Sequence, residues 1–335
     1  MSRRRLRLRH AVALAVALLA LGASTALAVF VATVSNSGNS FQAAALFPGA
    51  IKMASGSYTG DATDNRAITV GFQPDFVIVK DEGNREGVAR TSTMAADASK
   101  PMGTLTPLQT DNIQSFGPTG FVLGTFNRVN QSGRTYHWVA FKANSKAMSV
   151  GSYTGNATGQ SITGLGFSPE LVIVMGNVAQ RSVLNFAGGR TYRFDTGTSI
   201  ASGVTSMDAD GFTVGTALET NAATTTYHYV AFNDFPNSID VSSYTGNAAD
   251  NRDIATPAFQ PEYMLIRADD NTTGRPALSR PASLAGDNTL LFAGSAMINN
   301  RIQALNANGF QIGNSGDANA AGVTYYSLSA RSSAP

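Results

Sequence analysis

Gly120-Phe121-Val122-Leu123-Gly124, a polar stretch, and then Thr135-Tyr136-His137-Trp138-Val139-Ala140-Phe141 decide how this chain is read. The pattern returns as Gly211-Phe212-Thr213-Val214-Gly215 leading to Thr226-Tyr227-His228-Tyr229-Val230-Ala231-Phe232, and again as Gly309-Phe310-Gln311-Ile312-Gly313 leading to Thr324-Tyr325-Tyr326-Ser327-Leu328. From Phe to Tyr the interval is 15 residues in all three copies. No insertion is tolerated between the two strands, the behaviour expected of a fixed hairpin.

Two further landmarks precede each copy. Gly56-Ser57-Tyr58-Thr59-Gly60 is matched by Gly151-Ser152-Tyr153-Thr154-Gly155 and by Ser242-Ser243-Tyr244-Thr245-Gly246. Gly71-Phe72-Gln73-Pro74-Asp75 opens the apolar run Phe76-Val77-Ile78-Val79, and its counterparts begin at Gly166 and Ala258. A proline turn followed by a short β-branched run reads as a buried strand with its stop signal in front. Between this landmark and the next Gly-Phe the copies differ in length, which marks loops. Ile113, Val204 and Ile302 nevertheless all lie 8 residues before the next Phe, and Phe116, Met207 and Leu305 lie 5 before it, so one more strand precedes.

These landmarks predict about seven strands in each repeat of about 93 residues, and no window outside the N-terminus carries a capped 3.6-residue period. The expected fold is all-β: three tandem antiparallel β-sandwich modules, jelly-roll or Ig-like, at 51–146, 147–237 and 238–335. A six-bladed propeller, two four-stranded blades per repeat, is the alternative.

The chain of 335 residues has 14% charged residues, 33 Gly and no Cys, which excludes disulfide scaffolds and thiol chemistry. Its basic charge is concentrated at Arg3, Arg4, Arg5, Arg7 and Arg9, ahead of the Ala/Leu/Val segment 11–33 with its small-residue triplet Ala26-Leu27-Ala28. This predicts a signal peptide over 1–28 or, if uncleaved, a membrane anchor to about 34, with 29–50 as a flexible lead-in. Ser2-Arg3-Arg4 partly resembles a twin-arginine signal. Without residues 1–28, 19 Lys and Arg face 22 Asp and Glu, a net of about −3, which leaves no electrostatic footprint for nucleic acid. The expected location is extracellular or on a bacterial surface. Contact with a membrane is expected only through an uncleaved N-terminus.

Gly22 to Ala26 together with Asn39-Ser40-Phe41 faintly resemble the start of camelysin and biofilm-fibre proteins. Over residues 56 to about 330, the series Gly-Phe-x-Pro-[Asp/Glu], Gly-Phe-x-apolar-Gly and Tyr-x-x-x-Ala-Phe resembles a repeated β-rich module of phage tail-fibre and virion proteins and of large secreted bacterial proteins. The resemblance implies a structural or surface module of unassigned activity. The third copy departs from it at Ala258 and at Ser327-Leu328-Ser329-Ala330, and an export signal favours a secreted protein over a virion component.

On the last strand, alternation puts Tyr136, Trp138 and Ala140 on one face and His137, Val139 and Phe141 on the other. A core position is not expected to accept Trp138, Tyr229 and Ser327 in turn, since truncating a buried aromatic costs about 3–5 kcal/mol. Tyr136, Trp138, Tyr227, Tyr229 and Tyr325 are therefore candidates for packing at module junctions, with a sugar-stacking platform or ordinary partial burial as alternatives. Asp75, Glu170 and Glu262, each after a proline, are expected to satisfy turn amides rather than to catalyse, and His137 and His228 to be strand-surface residues. Asp61, Asp64 and Asp250 are weak Ca²⁺ candidates in oxygen-rich turns, with plain Asx turns the simpler reading; Asp208, Asp210, Asp269 and Asp270 are of the same kind. Asp81, Glu82, Glu86 and Arg90 cannot be placed relative to one another from sequence. No nucleophile, base and orienter assemble, no dinucleotide or P-loop fingerprint occurs, and no cofactor is expected.

The expectation is a secreted, non-enzymatic, adhesin-like or filament-forming protein whose partner is a cell surface, a polysaccharide or another copy of itself. A carbohydrate-binding protein or accessory of a carbohydrate-active enzyme is the alternative.

Overall fold

A computed structural model describes residues 30–35, 38–43, 51–271 and 274–333. The expected signal segment lies outside these residues, as does most of the lead-in. Within 29–50, where no regular structure was expected, strand β1 (Phe30–Ser35) pairs antiparallel with β2 (Gly38–Ala43). Among the described residues no helix is long and apolar enough to cross a membrane.

Residues 51–333 form one compact unit built from sheets that each draw their strands from a single repeat. In the first repeat these are β3 (Met53–Thr59), β4 (Arg66–Thr69), β5 (Phe76–Asp81), β6 (Val88–Thr91), β7 (Lys100–Pro101), β8 (Ile113–Gly117), β9 (Gly120–Leu123) and β10 (Thr135–Phe141), with a one-turn helix α1 (Asn127–Asn130) before β10. They make a five-stranded antiparallel sheet in the order β3-β10-β5-β6-β7 and a three-stranded sheet in the order β4-β9-β8. The second repeat has the same two sheets, and the third extends the larger one to six strands. Val77, Val79, Ile113, Phe121, Leu123, Tyr136 and Trp138 fill the space between the two sheets of the first module. The architecture is the all-β sandwich module three times over, and the sheet sizes rule out four-stranded propeller blades.

The quoted Gly-Phe and Tyr strands do not form the expected hairpin. β9 pairs with β8 and β4, whereas β10 pairs with β3 and β5, so the constant 15-residue interval crosses from one sheet of the sandwich to the other. What holds that interval constant is a plug around α1. Asn130 accepts at Oδ1 from the amide of Asp61 and donates through Nδ2 to the carbonyls of Thr63 and Gly124. Tyr136 Oη accepts from the amide of Gln131 and donates to the carbonyl of Asn127, pinning both ends of the turn. Asn221 with Tyr227 and Asn319 with Tyr325 repeat this arrangement. The stacked partners Tyr58, Tyr153 and Tyr244 lie 5.3, 5.3 and 5.2 Å away, ring to ring.

Strands β5 and β10 are buried on both faces, which is why their sequences read as nearly continuous apolar runs. One face belongs to the module's own core. The other joins a core common to all three modules, with Phe76, Ile78, Val139 and Phe141 meeting Leu171, Ile173, Val230 and Phe232 from the second and Tyr263, Leu265 and Leu328 from the third. Phe141 touches Phe232 at 5.3 Å and Tyr263 at 6.2 Å, both edge to face. The modules are thus three lobes of one folded body.

Candidate functional site

The shared core is closed at three junctions by equivalent positions on the last strand of each module. His137, paired in register with Lys80 and Ser57, reaches the third module, where its Nδ1 lies 2.8 Å from Ser283 Oγ; its Nε2 lies 3.0 Å from Glu82 Oε1. His228 reaches the first module, with Nδ1 2.8 Å from Thr93 Oγ1. Tyr326 reaches the second module and stacks on Phe186 at 5.5 Å. A Cβ on Gly189 would stand 2.9 Å from its ring, so only glycine fits there. First onto third, second onto first and third onto second, the contacts close a ring.

Ser283, His137 and Glu82 line up as a hydroxyl, an imidazole and a carboxylate. Burial is the largest influence on His137 and lowers its pKa, outweighing the opposing effect of Glu82, so the ring is neutral near pH 7. In that state Nε2–H donates to Glu82, and Nδ1 stands against the Ser283 hydroxyl, which also lies 3.0 Å from the Gly56 carbonyl. The same chemistry would suit a general base, but two observations assign it to bracing. The adjoining cavity is about 10 Å³, room for about one water and no substrate. The equivalent pair His228 and Thr93 repeats the contact with Asn177 where Glu82 would be, and burial, reinforced by Arg90, lowers the pKa of His228 to about 4.

The hydroxyls that meet the two histidines sit in a motif hidden in the segments of variable length. Arg90-Thr-Ser-Thr93-Met94-Ala-Ala96-Asp97 and Arg280-Pro-Ala-Ser283-Leu284-Ala-Gly286-Asp287 fold alike. Arg90 donates to the carbonyls of Met94, Ala96 and Ala98; Arg280 donates to those of Leu284, Gly286 and Asn288. Asp97 accepts the amide of Asp111 and Asp287 that of Asn300, each in the bend just before the strand that begins at Ile113 or Ile302. The second module has Asn185-Phe-Ala-Gly188-Gly189 instead, and the residue facing it is Tyr326 rather than histidine. The junction partners therefore vary together.

The predicted junction or platform residues lie elsewhere. Tyr136, Tyr227 and Tyr325 are fully buried as the pins of the one-turn helices, and Trp138 and Tyr229 are 8% and 7% exposed inside their own modules. Trp138 packs edge to face on Phe121 at 5.8 Å and covers Gly56, where a Cβ would fall 2.6 Å from its ring. The junction face is the opposite one, carrying His137, Val139 and Phe141. The substitution series Trp138, Tyr229, Ser327 occurs within the core after all, because the cross-strand partner changes with it: Gly56, Gly151 and Ser242. Ser327 and Ser242 meet at 3.3 Å. Likewise Ala330 lies opposite Tyr263 where the first module pairs Phe141 with Phe76. The histidines, expected on a strand surface, are buried.

The carboxylates mostly close turns. Asp75 accepts the amide of Ala143 and pairs with Lys142 at 3.0 Å; Glu170 accepts the amide of Asp234. Burial first, then Asp234, raises Glu170 to about 7. Asp61 accepts the amide of Thr63 two residues on, in Asx geometry, whereas Asp64 accepts from the next amide, Asn65, and from Gln114, and Asp250 from the next amide, Asn251, and from Gln303. Asp208 accepts from Ser206 and Thr213, Asp210 from the amides of Gly164 and Gly166, and Asp269 from Tyr192. Asp270 pairs with Arg275, Glu86 with Arg128, and Asp81 with Lys80 and Arg134. Among the described residues no three His, Asp or Glu side chains converge as a metal site.

No curated protein matches the chain. Residues 52–152, which span the first module and enter the second, match the family model described as a domain of unknown function (DUF7483).

Proposed function

We propose that the chain is an exported, non-enzymatic surface protein whose residues 51–333 serve as a rigid, adhesin-like or structural head. The observation that carries this reading is the meeting of the two ends of that body. Ile51 donates its amide to Ser333 Oγ at 2.9 Å, and Ser333 donates its own to the Ile51 carbonyl at 3.1 Å. The ring is thereby closed, and the two ends of residues 51–333 lie side by side, as suits a head carried on a tether. The basic and apolar N-terminus supplies the export or anchoring signal. The recurrent polar side chains, Asn130, Tyr136, Arg90 and His137 with their counterparts, are all engaged in bracing, which fits a load-tolerant scaffold.

The test is to express the full chain with an epitope inserted in the exposed turn at Ala223-Thr224, fractionate a bacterial host and label intact cells. Surface labelling, with retention on cell walls or self-association by light scattering, supports the proposal. Confinement to the cytoplasmic fraction would sink it.

A further inference from the structure

The third module carries a cleft that nothing in the bracing accounts for. It opens between the two sheets, has a volume of about 640 Å³ and is lined by Gln260, Pro261, Glu262, Gln303, Leu305 and Arg331, with the Arg280 motif as its wall. That volume falls within the range of roughly 300–1,000 Å³ typical of small-molecule sites. In the first module the residue equivalent to Leu305 is Phe116, whose ring lies against the guanidinium of Arg90 at 5.6 Å. Leu305 is smaller and lines the cleft where the Phe116 ring would project, while Arg280 itself stays as buried as Arg90, each 6% exposed.

The ion pair that occupies this end of the first module is also absent. There Lys142 neutralises Asp75. In the third module Arg331 donates instead to the carbonyl of Asn237 and lies over the ring of Phe259 at 4.8 Å. Glu262 accepts the amide of Ser332, as Asp75 accepts that of Ala143, but it is half-buried without a salt bridge of the kind made by Asp75, and burial raises its pKa.

We propose that this cleft binds an uncharged saccharide, an inference that rests on the surface-adhesin reading and names the class of its ligand. The carboxylate of Glu262 is an acceptor for sugar hydroxyls, the Arg331 guanidinium is a donor, and Pro261 and Leu305 form an apolar floor for the ring carbons. An anionic ligand is disfavoured by Glu262 and a cationic one by Arg331 and Arg280.

The test uses the full chain on an array of neutral oligosaccharides that includes cellobiose, chitobiose and maltotriose, followed by calorimetry, beside the variants Leu305→Phe and Glu262→Gln. Leu305→Phe copies the first module and is expected to fold with an unchanged Tm while weakening saccharide binding at least tenfold; Glu262→Gln weakens it as well. Absence of array binding by the unaltered chain, or equal binding by Leu305→Phe, overturns the proposal. Attachment to whole cells is measured in parallel. Cell attachment retained by Leu305→Phe with no saccharide signal refutes the cleft and leaves the adhesin reading standing, whereas saccharide binding by a chain that never reaches the surface refutes the adhesin reading alone.

Discussion

Exchanging Trp138 and Gly56 for the serines of the third module tests whether cross-strand compensation is what lets one core position hold Trp, Tyr or Ser. Trp138→Ser alone removes a ring that is 8% exposed and packed on Phe121, and is expected to cost about 3–5 kcal/mol through lost burial and a residual cavity. Gly56→Ser alone drives a Cβ to within 2.6 Å of Trp138 Cζ2 and is expected to cost about 1–3 kcal/mol by overpacking. In the double variant the clash is gone and the second hydroxyl enters the vacated space, as Ser242 does beside Ser327 at 3.3 Å. The coupling energy should therefore favour the double variant by about 1–3 kcal/mol. The assay is urea unfolding of all four proteins followed by far-UV circular dichroism, since the chain has a single Trp and the two variants carrying Trp138→Ser lose its fluorescence. Additive costs, with the double variant as unstable as the sum of the singles, would refute the reasoning.

Three other outcomes are expected. His228 is neutral in the fold down to pH about 4, whereas in the unfolded chain it titrates near its ordinary value of 6.5. The folded pKa of this base is depressed, so its contribution is complete above about 6.5 and is lost as pH falls towards 4, by about 3 kcal/mol in all; urea midpoints should fall more steeply between pH 7 and 4.5 for the natural chain than for His228→Asn. Replacing Asn130 or Asn221 by Ala strands an amide and two carbonyls, and replacing Asn319 an amide and the Ala249 carbonyl, so each should cost about 2–4 kcal/mol, read as a drop in Tm; a cost under 1 kcal/mol would show that the plug is not structural. Gly189→Ala should destabilise by about 1–3 kcal/mol through its contact with Tyr326, and removing that ring with Tyr326→Ala should abolish the effect of the alanine, measured by a double-mutant cycle in denaturant.

Much of the fold was legible because its signals are local. The proline turns and β-branched runs marked β5 and its counterparts, and the equal positions of Ile113, Val204 and Ile302 marked the strand before each Gly-Phe. The repeat itself announced three modules. The face assignment failed for a particular reason: position 138 and its counterparts were read down one strand, as Trp, Tyr and Ser, without the facing residues Gly56, Gly151 and Ser242. All six residues are present in the sequence, but only pairing tells which belong together. The Arg90 and Arg280 motif was likewise visible and was obscured because the second copy lacks it.

Periodicity, turn residues and repeat spacing determined that this chain is all-β and threefold repeated, since alternation and turn chemistry act between neighbours in sequence. Tertiary structure alone decided which sheet each strand joins, that the His137 face looks into a common core, and that Ile51 and Ser333 close a ring. It also decided that a cleft stands open where Leu305 replaces Phe116. Those outcomes depend on volumes and partners brought together across scores to hundreds of residues, where no local preference reaches and packing of both sheet faces sets the answer.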